Sequence, residues 1–266
     1  MLVSIHNHTI WSDGAPTITE LVDGARKAGV TELGISDHFA ITPDRQFSDW
    51  SIQAEKLDAY VEEVLRAARN TDDLTVRLGL EVDYFPETLD ESISLLKPYP
   101  FDFLIGSVHF INKFVLDLNA GPWEKLSREE LNQTWQTYWR YIAAAARSGY
   151  FDFIGHFDLP KKFKFYPDID LTADALAALD AIAAADAALE LNTSGWHKPV
   201  REAYPGLYYL KEARRRNIPL LINADSHSPG SVGRDFERAR ELASAAGYTE
   251  LVRYEKRKRF FYPLEN

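Results

Sequence analysis

The sequence predicts an α/β protein in which a parallel sheet closes into a barrel. Three observations carry that expectation. Short apolar, β-branched runs alternate with helix-periodic segments along the 266 residues. Seven such runs are present, and nearly all of them end in histidine or a carboxylate. In an open sheet those ends would lie in a row too long to meet at one point, whereas the strand ends of a barrel converge.

The predicted strands are residues 2–8, 32–38, 76–83, 103–110, 151–158, 188–193 and 219–225. Between them, residues 18–28, 51–70, 89–96, 128–148, 173–185 and 204–217 have helical spacing. Thr17-Ile18-Thr19-Glu20 and Ser127-Arg128-Glu129-Glu130 each fit a capping box, with a hydroxyl at the N-cap and a glutamate three residues on. Gly29 and Gly149 follow helical patterns, as residues at a left-handed C-terminal cap do. The stretch 174–188 is rich in alanine, the strongest helix former, and Leu176, Leu179 and Ile182 would form its buried stripe. Residues 250–264 read as a further strand or an extended tail. One domain spanning 1–266 is the expectation.

Composition narrows the function. Hydrophobic residues make up 45% of the chain, enough for a sizeable core. Mean hydropathy is −0.30, and no run approaches the roughly 18 apolar residues of a membrane span. With no cysteine there is no disulfide, thiolate ligand or cysteine nucleophile. No basic stretch followed by an apolar one opens the sequence, so a cytoplasmic enzyme is expected. The formal charge of −10 argues against a nucleic-acid polymer as partner, because phosphate-backbone binding needs a basic surface. A small phosphorylated substrate held by local cations remains compatible.

Six of the seven histidines stand at predicted strand ends. His6 and His8 flank Asn7, so in a strand both imidazoles project from one face. Asp13 follows in the first loop. The second strand ends Ser36-Asp37-His38, the third carries Glu81 within an apolar run, and the fourth ends at His109. The fifth ends Gly155-His156-Phe157-Asp158, and the seventh Ala224-Asp225-Ser226-His227. Taken singly, each has a plain structural explanation: a hydrogen-bonded histidine, a paired carboxylate, a turn at Asp13-Gly14. Together they place so many ionisable groups at one barrel mouth that burial would be costly unless cations paired with them. Imidazole and carboxylate without thiolate suit zinc, manganese or iron. Nine candidate ligands exceed what one ion takes and suffice for two or three.

These motifs resemble the polymerase and histidinol phosphatase (PHP) family of hydrolases, in the family's order from His6 to His227. The segments 78–86 (LGLEVDYFP), 99–110 and 155–163 (GHFDLPKKF) are similar to the branch containing histidinol-phosphate phosphatases. The resemblance implies a distorted, TIM-like (β/α)7 barrel with a three-metal centre. It assigns His6, His8, Glu81 and Asp225 to one ion, and Glu81, His109 and His156 to a second. Asp13, His38 and His227 would hold the third; some relatives have histidine where Asp13 stands. A water or hydroxide between the first two ions would attack phosphorus, with the metals neutralising the phosphoryl oxygens.

Asp158 would either protonate the leaving alkoxide, bind a substrate amine, or orient a metal-bound histidine. Lys161 and Lys162 after the fifth strand, and His197 and Lys198 after the sixth, are the candidate phosphate grips. His197 stands where the resemblance would place arginine. Arg45 and Arg234 are secondary candidates for the same role. Residues 41–50 and 113–123 are candidate lids. The leading expectation is a phosphomonoesterase acting on L-histidinol phosphate in histidine biosynthesis. Alternatives are another small phosphate ester or nucleotide as substrate, and a non-catalytic metal-binding regulatory protein. Amidohydrolase chemistry is a further one, against which stands the lack of a strand-end lysine.

Overall fold

The computed structural model describes residues 1–45 and 50–264. Its strands and helices, in chain order, are β1 (Val3–Ser4), α1 (Ile18–Lys27), β2 (Glu32–Ile35), β3 (His38–Phe39), α2 (Leu57–Arg69), β4 (Thr75–Asp83), α3 (Leu89–Leu96) and β5 (Phe103–Ser107). A hairpin of β6 (Phe110–Ile111) and β7 (Phe114–Val115) follows, then α4 (Gly121–Glu124), α5 (Arg128–Arg147), β8 (Phe153–Ile154), α6 (Thr172–Ala184), β9 (Ala188–Asn192), α7 (Leu207–Arg215), β10 (Leu220–Asn223) and α8 (Phe236–Ala245). The chain ends in an antiparallel pair, β11 (Glu250–Glu255) and β12 (Lys258–Pro263).

The main sheet runs β1-β2-β4-β5-β8-β9-β10, with every neighbouring pair parallel. Strand β3 continues the path of β2 along β4, so the second barrel position is one strand broken at Ser36-Asp37. Closure comes just past the ends of β1 and β10. The His8 amide donates to the Ser226 carbonyl at 2.8 Å, the Ser226 amide to His6 at 3.2 Å, and the Asn223 side chain accepts from the Ile5 amide at 2.8 Å. The result is the seven-stranded barrel expected, with a short seam.

Strand parity explains what fills it. Val3, Ile5, Phe103, Ile105, Phe153, Ala188 and Leu221 form an interior cluster, capped by Val252 and Tyr254 of β11. The residues at 250–264 are thus a hairpin whose β11 plugs the bottom of the barrel. Phe103 spans the interior because Gly79 faces it; a Cβ there would lie 2.2 Å from the Phe103 ring. Both capping boxes form with both of their hydrogen bonds, and Gly29 and Gly149 adopt φ of 71°.

Several boundaries differ from the sequence expectation. The predicted strand 2–8 is a ladder only at Val3–Ser4, and the inward alternation breaks between Ile5, in the plug, and His6, at the mouth. The helix expected at 204–217 starts at Leu207, because Tyr204 instead bridges to Asn192 through main-chain bonds of 2.6 and 3.0 Å. The β6–β7 hairpin and α8 had no predicted counterpart. Of the candidate lid 41–50, residues 46–49 lie outside the described residues. No described helix is long and apolar enough to cross a membrane.

Candidate metal centre

The centre is built around Glu81 on β4, whose inward parity with Gly79 and Asp83 aims it up the barrel axis. Its side chain is 1% exposed, and its two oxygens face two separate sets of imidazoles. Oε2 lies 3.2 Å from His6 Nε2, 3.5 Å from His8 Nε2 and 3.0 Å from His38 Nδ1. Oε1 lies 2.9 Å from His156 Nε2 and 3.6 Å from His109 Nε2, and those two nitrogens are 3.1 Å apart. Each oxygen thus faces its own set of ring nitrogens. Asp225 Oδ1 lies 3.3 Å from His8 Nε2 and 3.8 Å from His6 Nε2. A further group gathers at the rim. Asp13 Oδ2 is 3.1 Å from His227 Nε2, and its Oδ1 is 3.6 Å from His38 Nε2 and 3.8 Å from His8 Nδ1.

All nine candidate ligands therefore meet at one mouth. Four sets of side chains bring one ligand atom each to within 4.8 Å of the others: His8, Asp13, His38 and His227; His6, His8 and Glu81; His6, His156 and Asp225; and His38, Glu81 and His109. His6, His8, His38 and Glu81 each join two sets, so the assignment by motif order divides the ligands more sharply than the geometry does.

The local backbone is shaped to present these groups. His156 and Asp225 adopt left-handed φ of 28° and 50°, conformations that cost a non-glycine residue energy and cluster at functional sites. Gly14 permits the Asp13 turn to lie against the first strand, since a Cβ there would sit 2.4 Å from the His8 carbonyl. Asp37 pins the same turn, accepting from the Thr9 amide and hydroxyl at 2.7 Å each and from the Ser12 hydroxyl at 2.6 Å. It is an orienting residue.

Other carboxylates fix the imidazoles. Glu190 on β9 is fully buried and binds His6 Nδ1 at 2.6 Å, which turns Nε2 toward Glu81. Asp83 does the same for His109, at 2.9 Å from Nδ1. Such partners set the tautomer and raise ligand basicity. Both signals were present in the sequence: Glu190 lies inside an apolar strand as Glu81 does, and Asp83 shares Glu81's face two residues on. Asp117, delivered to the mouth after the β6–β7 hairpin, had no local signal.

The electrostatics suit cations. Buried atoms without a hydrogen-bond partner include His6 Nε2, both ring nitrogens of His8, His38 Nδ1 and Glu81 Oε2. Each such group costs about 1–3 kcal/mol when left unpaired, and all of these point into the same small space. Burial alone would raise the Glu81 carboxyl, but His6, His38 and His109 hold it well below the usual carboxylate range. Burial would likewise lower His38 and His109, yet Glu81 lifts the first to about 9, and Asp83 with Glu81 lifts the second to about 10. Burial and repulsion from His227 and His38 pull His8 down to about 3. Divalent ions fit this donor set: imidazole nitrogens and carboxylate oxygens that converge unsatisfied, where a bound cation would take the place of the protons that Glu81 and Asp83 favour on His38 and His109.

Above the ligands lies a cavity of about 380 Å³ lined by Asp117, Lys162, Lys198, Tyr204 and Arg234 as well as by every candidate ligand but His6 and His8. Lys162 donates to the Asp117 carbonyl at 2.6 Å and its carboxylate at 3.1 Å.

Three residues expected at the mouth are elsewhere. Asp158 is buried and bonds to Lys161 at 2.8 Å and to the Gly206 amide at 3.1 Å, and it lines a separate aromatic-walled cavity. The reason is that β8 ends at Ile154 and the turn at His156 breaks the alternation that would have put both residues on one face. Lys161 is consumed by Asp158, Glu202 at 2.6 Å and the Ala203 carbonyl at 2.8 Å. His197 is exposed and pairs with Asp235 at 2.5 Å. Arg45 pairs with Glu91 on the surface.

The PHP domain matches residues 4–194 of the sequence. The chain belongs to the PHP family. Among PHP relatives, it is 36% identical over 259 residues to the probable histidinol-phosphatase of Deinococcus radiodurans, covering 96% of this chain and 98% of that protein. It is 28% identical to the histidinol-phosphatase of Bacillus subtilis, over 83% of this chain and 91% of the relative. In structure it is similar to the histidinol phosphate phosphatase of Lactococcus lactis, solved with zinc, L-histidinol and phosphate. That similarity has a TM-score of 0.78 at 21% identity, over 97% of this chain and 98% of the other, and it establishes the shared barrel.

Proposed function

We propose that this protein is a metal-dependent phosphomonoesterase that hydrolyses L-histidinol phosphate to L-histidinol and phosphate. The observation that carries the reading is the Glu81 carboxylate, buried, with each oxygen facing its own set of imidazoles. The 36% identity to a probable histidinol-phosphatase over nearly the whole chain supports the substrate. On this reading the whole chain, 1–266, acts as one hydrolase domain, because Asp225 and His227 beyond the matched segment enter the same cluster.

His6, His8, Glu81 and Asp225 would hold one ion, Glu81, His109 and His156 a second, and Asp13, His38 and His227 a third. Zinc, manganese or iron bound there would supply Lewis acidity, lowering the pKa of a water nucleophile and neutralising phosphoryl charge. Glu190 and Asp83 keep the imidazoles of His6 and His109 in the orientation that presents Nε2. Lys162, fixed by Asp117, and Lys198 stand over the ligands where an incoming phosphate would be held. Asp158 and Lys161 form a buried structural pair and take no part in the chemistry.

The test is steady-state hydrolysis by chelator-stripped protein reloaded with each metal in turn, on histidinol phosphate, sugar phosphates and nucleotides. The expected result is metal-dependent release of phosphate with a clear preference for histidinol phosphate. Equal rates across the panel would overturn the substrate, and no phosphate release with any metal would overturn the enzyme.

A further inference from the structure

We propose that Arg234 grips the phosphoryl group alongside Lys162 and Lys198, and that His197 positions it. The proposal rests on the phosphomonoesterase reading and names a recognition residue within it. Arg234 lines the cavity above the metal ligands, on the loop after β10. Its Nε is buried with no hydrogen-bond partner, and among the described residues no carboxylate pairs with its guanidinium. Of the other cations nearby, Lys162 is engaged by Asp117 and Lys161 is enclosed by Asp158 and Glu202, whereas Lys198 lines the same cavity and, among the described residues, has no carboxylate partner either. A half-buried guanidinium without a counter-charge is costly unless an anion comes to it. Here the anion is a phosphoryl group, whose oxygens match the fork of a guanidinium.

The loop holds the arginine in place before any substrate arrives. Residues in left-handed conformation flank it, Gly233 at φ 76° and Asp235 at φ 61°. Its amide donates to the Ser231 carbonyl at 3.1 Å, and its carbonyl accepts from the Thr193 hydroxyl at 2.8 Å. The next residue, Asp235, is tied to His197 at 2.5 Å. Arg238, on α8 just beyond the Arg234 turn, stacks over Trp196 at 4.1 Å and ties that helix to the loop after β9. The loop after β9 therefore straps the Arg234 turn, and His197 serves the site by holding Asp235.

Calorimetric titration of the metal-loaded protein with inorganic phosphate tests this independently of turnover. Arg234→Ala should weaken phosphate binding about 10–100-fold, as loss of a charge-assisted pair does, with the metal content of the wild type. KM for the phosphate ester should rise by a similar factor, and millimolar guanidinium ion should restore part of both. His197→Ala should raise KM several-fold, with His197→Gln, which can still reach Asp235, closer to wild type. Arg45→Ala is the control for loss of a surface charge and should change neither. Phosphate affinity and KM within twofold of wild type in Arg234→Ala would overturn the proposal. If that variant does not fold, Arg234→Lys decides: weaker phosphate binding supports the assignment and unchanged binding overturns it. Wild-type protein that binds phosphate through Arg234 yet hydrolyses no phosphate ester would sink the enzymatic reading alone.

Discussion

The two ends of the barrel treat buried charge in opposite ways. At the bottom, where the strands begin, charges are matched. Arg77 lies 3.1 Å from Glu32, 3.2 Å from Glu255 and 3.9 Å from Asp102, while Arg253 reaches Glu32 at 3.4 Å and Arg257 pairs with Asp152 at 2.5 Å. The Asp102 and Asp152 carboxylates also accept main-chain amides from Leu78 and Leu104. At the mouth, imidazoles and carboxylates crowd together with ring nitrogens and a carboxylate oxygen left unsatisfied. The bottom is closed by the protein itself. The mouth is completed only by something that is not protein.

Substitutions should separate the two ends. The largest effect is expected from Glu81→Gln, which removes the shared carboxylate: kcat/KM should fall on the order of 10³-fold, and bound metal should drop with it. Glu190→Gln leaves every ligand in place but weakens the hold on the His6 ring and the His156 amide, so metal affinity or turnover should fall about 10–100-fold. At the bottom, Arg77→Ala leaves Glu32 and Asp102 short of a partner. It should cost about 3 kcal/mol in chemical denaturation, with kcat/KM of the folded enzyme unchanged. An equal loss of turnover in Arg77→Ala would erase the distinction between the ends.

The smallest expected effect is on pH. Burial, opposed by Arg257, pushes the Asp152 carboxyl up to about 6. In the unfolded chain it titrates near about 4. Between those values the folded state binds the proton more tightly, so this group's contribution makes stability fall as pH rises from about 4 to about 6. Asp152→Asn should flatten that part of the stability profile and leave the pH dependence of turnover alone.

The mouth was far more legible in the sequence than its loops. Each metal-ligand candidate stands at or near the end of an apolar run, and barrel closure guarantees that strand ends meet, so nine scattered residues could be joined without knowing any loop. Strand parity then had enough information to add Glu190 and Asp83. It failed where the strand stopped early: Asp158 was placed beside His156 by a period-2 rule that the left-handed turn at His156 cancels. The basic residues were harder because lysines and arginines in loops carry no periodicity. Lys161 and His197 are sequence neighbours of Lys162 and Lys198, yet only Lys162 and Lys198 line the cavity, while Arg234 reaches it from a different loop. The β6–β7 hairpin escaped because strands of two residues leave no pattern to read.

The most direct test of the whole account is the number of divalent ions per chain in fully active enzyme, counted by elemental analysis as metal is withdrawn and restored. The account predicts two or three ions, with phosphate release from histidinol phosphate lost as they leave and regained as they return. Full activity in protein that retains no metal would contradict it.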